Sequence, residues 1–266
     1  MLWKVVIEGL ICSFQFLSTV PLKKQVPYEQ KQVRVCVAAF PVVGAILGVL
    51  LFGLLFIMNE WTNVSPLVIA LLLVTLSIVY SGGLHLDGWM DCSDAFFSYK
   101  SKQGKLEVMK DSRIGAFAAI SLFLLLVWKI IIIYEVIMIL DVKDYLIVVL
   151  IPIFTRVILG MKLYYGVTAR QEGMAFGMQV FIQKKDSFSY FLMMLTLFLI
   201  NVLFFQHLFV YVVILFFSSV CFYFISAKID EHFFGGITGD TLGASVEGGE
   251  LWLWMTLYLL LCFVTG

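Results

Sequence analysis

The stretch Pro66-Leu-Val-Ile-Ala-Leu-Leu-Leu-Val-Thr-Leu-Ser-Ile-Val-Tyr80 carries no charge and gives way at once to Ser81-Gly82-Gly83-Leu84-His85-Leu86-Asp87-Gly88-Trp89-Met90-Asp91-Cys92-Ser93-Asp94. The first part is stable in hydrocarbon. The second needs water or a counter-charge. The boundary at Ser81 therefore reads as the edge of a membrane. Composition agrees. The 266 residues are 62% hydrophobic and 14% charged, with a mean hydropathy of +1.01. A soluble domain carries roughly 25% charged residues, so most of this surface must face lipid. The expected class is an all-α, polytopic membrane helix bundle forming one integral membrane domain over 1–266.

A span needs about 20 apolar residues. Working outward from Pro66–Tyr80, the other candidates are Ala38–Met58, Ala116–Ile139, Tyr145–Tyr165, Phe188–Phe205, Leu208–Ala227 and Leu251–Val264. That gives about seven transmembrane helices. The fifth and sixth are divided at Asn201–His207, where Asn201, Gln206 and His207 form a polar cluster. Glu8 interrupts the run Leu2–Val20, and no small-residue cleavage pattern follows. That segment reads as an interfacial or tucked-in helix, not a cleaved signal peptide.

Thirteen Lys and Arg residues fall in segments 21–37, 81–115, 166–187 and 228–250, whereas the loops near 59–65, 140–144 and 201–207 hold Lys143 alone. The positive-inside rule places the long loops in the cytosol and the chain in the cell membrane as a multi-pass protein. The active-site loops are then 81–115, 166–187 and 228–250. A formal net charge of zero, from 18 basic and 18 acidic residues, argues against nucleic acid as a partner. The five scattered cysteines show no Cys-x-x-Cys spacing, so neither a disulfide framework nor a zinc site is indicated.

Three segments carry candidate chemistry. Asp87, Asp91 and Asp94 follow one another at spacings of four and three, which puts all three carboxylates on one face if the stretch is helical. Such a face repels itself unless a cation sits on it. Mg²⁺ prefers oxygen ligands and binds through a few carboxylates plus substrate phosphates, so the functional reading is a Mg²⁺–diphosphate site and the bland one a solvated acidic face. His85 could orient a carboxylate, bind phosphate or carry a proton, or be a hydrogen-bonded structural group.

The second segment is Met109-Lys110-Asp111-Ser112-Arg113-Ile114-Gly115. Lys110 and Arg113 could share phosphate oxygens, with Asp111 as a further ligand or a general base. The alternative is ordinary charge anchoring a helix at the bilayer. The third is Gly235-Gly236-Ile237-Thr238-Gly239-Asp240-Thr241-Leu242-Gly243-Ala244. Asp240 could complete the metal site, and Thr238 and Thr241 could bond phosphate or sugar, or the segment is a flexible turn before the last span. Arg170 is a candidate phosphate partner. Arg156, Lys129 and Lys162 fall within spans, and Arg156 lies deep enough to require protein or a polar cavity around it.

Taken together, Ser81–Asp94 with its His-Leu-Asp-Gly core, Met109–Gly115 and Gly236–Ala244 resemble cobalamin synthase, the adenosylcobinamide-GDP ribazoletransferase family. Weaker echoes are Phe16-Leu-Ser-Thr-Val-Pro21 and Phe40-Pro-Val-Val-Gly44. The likeness runs in order from about residue 10 to 250. It departs at Trp89-Met90, Cys92-Ser93 and Ala95, where the family more often has small residues. The resemblance implies a Mg²⁺-dependent membrane transferase that joins adenosylcobinamide-GDP to α-ribazole or its 5′-phosphate and releases GMP. A homo-oligomer is compatible with it. The family's functional residues carry over to Asp87, Asp91, Asp94, Lys110, Asp111, Arg113 and Asp240. Two alternatives fit the residues less well. A CDP-alcohol phosphotransferase would follow Asp-Gly with two residues and Ala-Arg, which Asp87-Gly88-Trp89-Met90-Asp91-Cys92 does not. A corrinoid or organic-anion transporter would need polar residues at mid-membrane, where Arg156 and Lys129 are the only support.

Overall fold

The computed structural model describes residues 2–265, and the side chains of residues 3–263. It is helical throughout. Among the described residues the one β-type feature is an isolated parallel bridge between Thr168 and Ile237. The helices are α1 (Leu2–Leu17), α2 (Gln30–Ala38), α3 (Phe40–Trp61), α4 (Pro66–Ser81), α5 (Leu84–Phe97), α6 (Lys102–Val108), α7 (Ala116–Ile139), α8 (Leu150–Tyr165), α9 (Met174–Gln179), α10 (Phe188–Phe204), α11 (Phe209–Ile229) and α12 (Gly239–Thr265). A 3₁₀ stretch, Val142–Val149, leads into α8. Six described segments are long and apolar enough to cross a bilayer, and the bent pair α4–α5 brings the number to seven.

In that pair α4 supplies the crossing. The chain then turns by 92°, so α5 lies across the end of the bundle, outside the spans. Gly82 and Gly83 make this turn at φ +64° and +75°, a left-handed geometry that other residues enter only with strain. The Gly83 N–H returns to Ile78 O at 3.1 Å and closes the end of α4. Thr19 fastens the same corner, with its N–H on Tyr80 O at 2.7 Å and its hydroxyl on Val79 O at 2.9 Å.

Val142–Tyr165 is the axis, with 78% of its apolar window buried, against 17% for Lys184–Phe204 at the periphery. Gly44 and Gly48 let α3 meet this axis backbone to backbone. A Cβ on either would lie 2.4 Å from Pro152 O or 2.6 Å from Val149 O. This is small-residue packing of the kind that joins membrane helices. The break between α10 and α11 falls at Phe205–Leu208, where the polar cluster predicts it. The N-terminal helix α1 packs on α2, with its buried Glu8 accepting from Gln32 at 3.1 Å.

One boundary differs from the sequence reading. The last helix begins at Gly239, not Leu251, so residues 239–250 are helix instead of cytosolic loop. The added turns carry Glu247 and Glu250 into the bundle. Both are neutralised inside the bundle. Lys129 of α7 bonds both of them, at 3.0 Å to Glu250, and Arg156 of α8 bonds Glu250 at 2.6 Å. Two cations and two anions thus bind α7, α8 and α12 together. Removing one partner of a buried pair costs about 3–5 kcal/mol. Glu250→Ala, which leaves Arg156 unpaired, should lose about that much in unfolding of the detergent-solubilised protein. The charge-balanced double variant Lys129→Met, Glu247→Leu should lose clearly less, and equal losses would contradict this account.

Candidate active site

The two acidic motifs meet because α5 and α12 approach closely. A Cβ at Gly88 would lie 2.6 Å from Asp240 O, and one at Gly243 would lie 3.3 Å from His85 Cα and O. Glycine at both places brings the helix that carries Asp87 and Asp91 up to the first turn of α12 and Asp240, and the Asp87 and Asp240 charges help raise the Asp91 carboxyl. The start of α12 is fixed by its own threonines. The Thr238 N–H donates to Thr241 Oγ1 at 2.9 Å, and the Thr241 N–H donates to Thr238 Oγ1 at 3.1 Å. Both side chains are buried. The structure therefore uses them as reciprocal helix caps, and the Thr238 hydroxyl also lies 3.4 Å from Asp240 Oδ2.

Arg170 reaches the site by backbone pairing. Ile237 N–H donates to Val167 O at 2.7 Å and Ala169 N–H to Ile237 O at 3.0 Å. This short ladder carries Arg170 to within 3.3 Å of Asp240 Oδ2. The half-buried cluster thus holds three carboxylates against one guanidinium. Burial, and then the Asp87, Asp240 and Asp94 charges, push Asp91 up to about 7. Such a perturbed group in a polar recess is a functional-site signal.

Asp94 is placed differently from its neighbours. Its carboxylate accepts from Gly115 N at 2.7 Å and Ala118 N at 2.8 Å. It caps the N-terminus of α7 from another helix. A Cβ at Gly115 would strike its oxygens at 2.4 Å, so the glycine that ends Met109–Gly115 exists to admit this cap. Lys110 pairs with Glu172 at the surface, and Arg113 pairs with Asp111 at 2.5 Å. Arg113 holds the Asp111 carboxyl down to about 2, far from the range of a general base at neutral pH. None of these three side chains touches Asp87, Asp91 or Asp240. Their link to the cluster runs through Asp94 and through Glu172, which shares a loop with Arg170. Arg156 lies inside the bundle on Glu250 and makes no contact with the carboxylate cluster.

His85 is buried, and its Nε2 has no hydrogen-bond partner. Burial, followed by the Arg156 charge, pushes the ring down to about 3, so it is neutral at physiological pH. Lys162, also inside the bundle, bonds Asp230 at 2.8 Å and Ser245. Sequence reasoning marked Lys129, Arg156 and Lys162 and missed the carboxylates that answer them, Glu247, Glu250 and Asp230. The available signal was that intramembrane cations demand partners, which could have directed attention to acidic residues flanking the last span.

Among the described residues no three His, Cys, Asp or Glu side chains form a cage able to hold an ion alone. The donor set still suits Mg²⁺. That ion keeps several waters and is commonly held by one or two carboxylates together with phosphate oxygens. Asp87, Asp91 and Asp240 supply the carboxylates of such a site and leave room for a ligand to supply the rest.

Sequence comparison adds an independent line. A family model described as cobalamin-5-phosphate synthase matches residues 9–258. An adenosylcobinamide-GDP ribazoletransferase of Halalkalibacterium halodurans is 38% identical over 98% of both chains. Proteins of the same name from Geobacillus sp. strain WCH70 and Geobacillus thermodenitrificans are 39% and 35% identical, over 97% and 95% of this chain and 97% and 96% of theirs. No solved structure matches.

Two measurements test this arrangement. An acid whose folded-state pKa is raised lends stability that is complete below its unfolded pKa and lost as the pH rises through the folded one. With Asp91 moved from 3.8 to about 7, the metal-free protein should lose thermal stability between pH 5 and 8. Asp91→Asn should flatten that loss. Asp94→Ala, which uncaps α7, should lower stability by about 1–2 kcal/mol at either pH. Thermal scans in detergent with EDTA, at pH 5 and 8, read out both effects.

Proposed function

The chain belongs to the cobalamin-5-phosphate synthase family, and from that membership we propose that it is a membrane-bound adenosylcobinamide-GDP ribazoletransferase. It joins adenosylcobinamide-GDP to α-ribazole, or to α-ribazole 5′-phosphate, and releases GMP. The activity rests on likeness along the whole chain to ribazoletransferases of the same length. The site rests on one observation, the convergence of Asp87 and Asp91 with Asp240 and Arg170 where α5 crosses α12.

The reaction needs little covalent help. A hydroxyl of the acceptor attacks one phosphorus of the diphosphate, the new P–O bond forms as the bond to GMP breaks, and the hydroxyl proton passes to a base. Such a transfer depends on in-line positioning and charge neutralisation. Asp87, Asp91 and Asp240 would hold Mg²⁺, which neutralises diphosphate charge and fixes its orientation when bound. Arg170, already at Asp240, is placed to take a phosphate oxygen. Lys110 and Arg113, exposed and paired with surface carboxylates, are free to exchange those partners for an anionic substrate. Asp111, held down by Arg113, is a poor proton acceptor at neutral pH. The basic residues of segments 21–37, 81–115, 166–187 and 228–250 support a site facing the cytosol in the cell membrane.

The purified protein, supplied with adenosylcobinamide-GDP, α-ribazole and Mg²⁺, should release GMP and form corrinoid product in equal amounts. EDTA should abolish the reaction. Asp91→Ala and Asp240→Ala should lower kcat by roughly 10²–10³-fold. Full activity in EDTA or in Asp91→Ala would sink the metal site. Corrinoid uptake into vesicles without GMP release would sink the transferase.

A further inference from the structure

The peripheral helix α10 stands off from the helices beside it. Tyr190 pins one edge. Its ring lies against Gly160 of α8, leaving no room there for a Cβ, and its hydroxyl donates to Val37 O. The other edge is open. Phe188, Phe191 and Phe224 are exposed there, and a cavity of about 630 Å³ lies between α8, α10 and α11. Phe154, Met161, Met194 and Phe216 are among its apolar lining, and the lining holds no carboxylate. Such a wall offers water no partners and suits an acyl chain.

The cavity runs along α8 from Tyr165 to Phe154. Eleven positions at 1.5 Å each make about 16 Å, about half of a ~30 Å hydrocarbon core. It therefore spans one leaflet. That leaflet is on the side of the carboxylate cluster, because the chain continues from Tyr165 to Arg170, which reaches Asp240.

The mouth at this end is basic. It is formed by Lys184 and Lys185, both exposed. They lie on the 3₁₀ turn Lys184–Ser187, which Gln183 N–H closes by donating to Asp186 at 3.0 Å. Lys184 Nζ lies 5.9 Å from the centre of the Tyr165 ring. The adjoining acid, Asp186, is taken by Arg34 Nε at 2.8 Å. Among the described residues neither lysine belongs to an ion pair. The basic mouth is particular to this cavity. Another apolar cleft, of about 550 Å³ between α5, α11 and α12, has no basic residue in its lining and holds Asp230. A second copy of the chain packed through α10 and α11 would bring no acid to the lysines, because residues 188–229 contain none.

We propose that this cavity binds an anionic phospholipid of that leaflet, with one acyl chain between α8, α10 and α11 and the headgroup phosphate on Lys184 and Lys185. Basic residues at the mouth of a gap between spans are suited to such headgroups. The lipid fills the gap beside the least buried span and ties α10 to α8.

The test uses the full chain, purified in mild detergent and stripped of lipid, with native mass spectrometry and thermal scans as readouts. Dioleoylphosphatidylglycerol should bind as a single tight adduct and raise the melting temperature. Dioleoylphosphatidylcholine has the same chains and no net charge. It should bind about 25-fold more weakly, since two lysines at the membrane surface each contribute a factor of about five toward anionic lipid. The surface double variant Lys184→Gln, Lys185→Gln should remove that preference. Val220→Trp, which fills the cavity from α11 and leaves both lysines, should weaken phosphatidylglycerol binding as well. Equal binding of the two lipids to the wild type overturns the proposal, as does a preference that survives in the lysine variant. Displacement of phosphatidylglycerol by glycerol phosphate at similar concentration would mark a free-anion site and overturn it too. A detergent-stable dimer that Val220→Trp dissociates would assign the groove to a second copy of the chain instead. None of these readouts depends on GMP release, so failure of the transferase reading leaves this inference standing.

Discussion

The arrangement depends on one helix–helix contact. α5 lies across the end of the bundle and touches the first turns of α12 at Gly88 and Gly243, where neither side has room for a Cβ. Two glycines at left-handed φ aim α5 there, and Thr19 holds the corner in place. The same contact brings together acidic residues more than 140 positions apart. A side chain at Gly88 would separate Asp87 and Asp91 from Asp240.

The membrane sets the second constraint. A charge buried among spans must be answered by an opposite one. Lys129 and Arg156 are answered by Glu247 and Glu250, and Lys162 by Asp230. Charge is therefore balanced inside the bundle. Asp94 is spent on the α7 terminus. Against this background Asp87, Asp91 and Asp240 stand out, because among the described residues Arg170 is the one cation paired with the cluster. The imbalance lies at the bundle end where the basic loops gather, which is where an anionic substrate with its own metal would arrive. Paired charges inside give rigidity, and unpaired ones at the rim give binding capacity.

Much of this was legible in the chain. Apolar runs located the spans, because hydrocarbon tolerates little else, and Asn201–His207 marked a turn inside a nearly continuous one. The spacing of Asp87, Asp91 and Asp94 anticipated a common helix, and three separated motifs indicated one family. The apolar run alone starts the last helix at Leu251, because the cations that let Glu247 and Glu250 lie inside the bundle, Lys129 and Arg156, belong to other helices. Capping and binding call for the same hydroxyls, so the sequence does not show that Thr238 and Thr241 cap α12.

The sequence by itself determined the solvent, the number of crossings and the residue types available for chemistry, since these follow from hydrophobicity and local spacing. Tertiary structure alone decided which carboxylates face one another. The acidic stretch Ser81–Asp94 contributes two of its three aspartates to the cluster and gives the third to a helix end. That division depends on the 92° turn at Gly82–Gly83 and on the close approach at Gly88. Both are three-dimensional facts, fixed by packing between segments that the chain holds far apart.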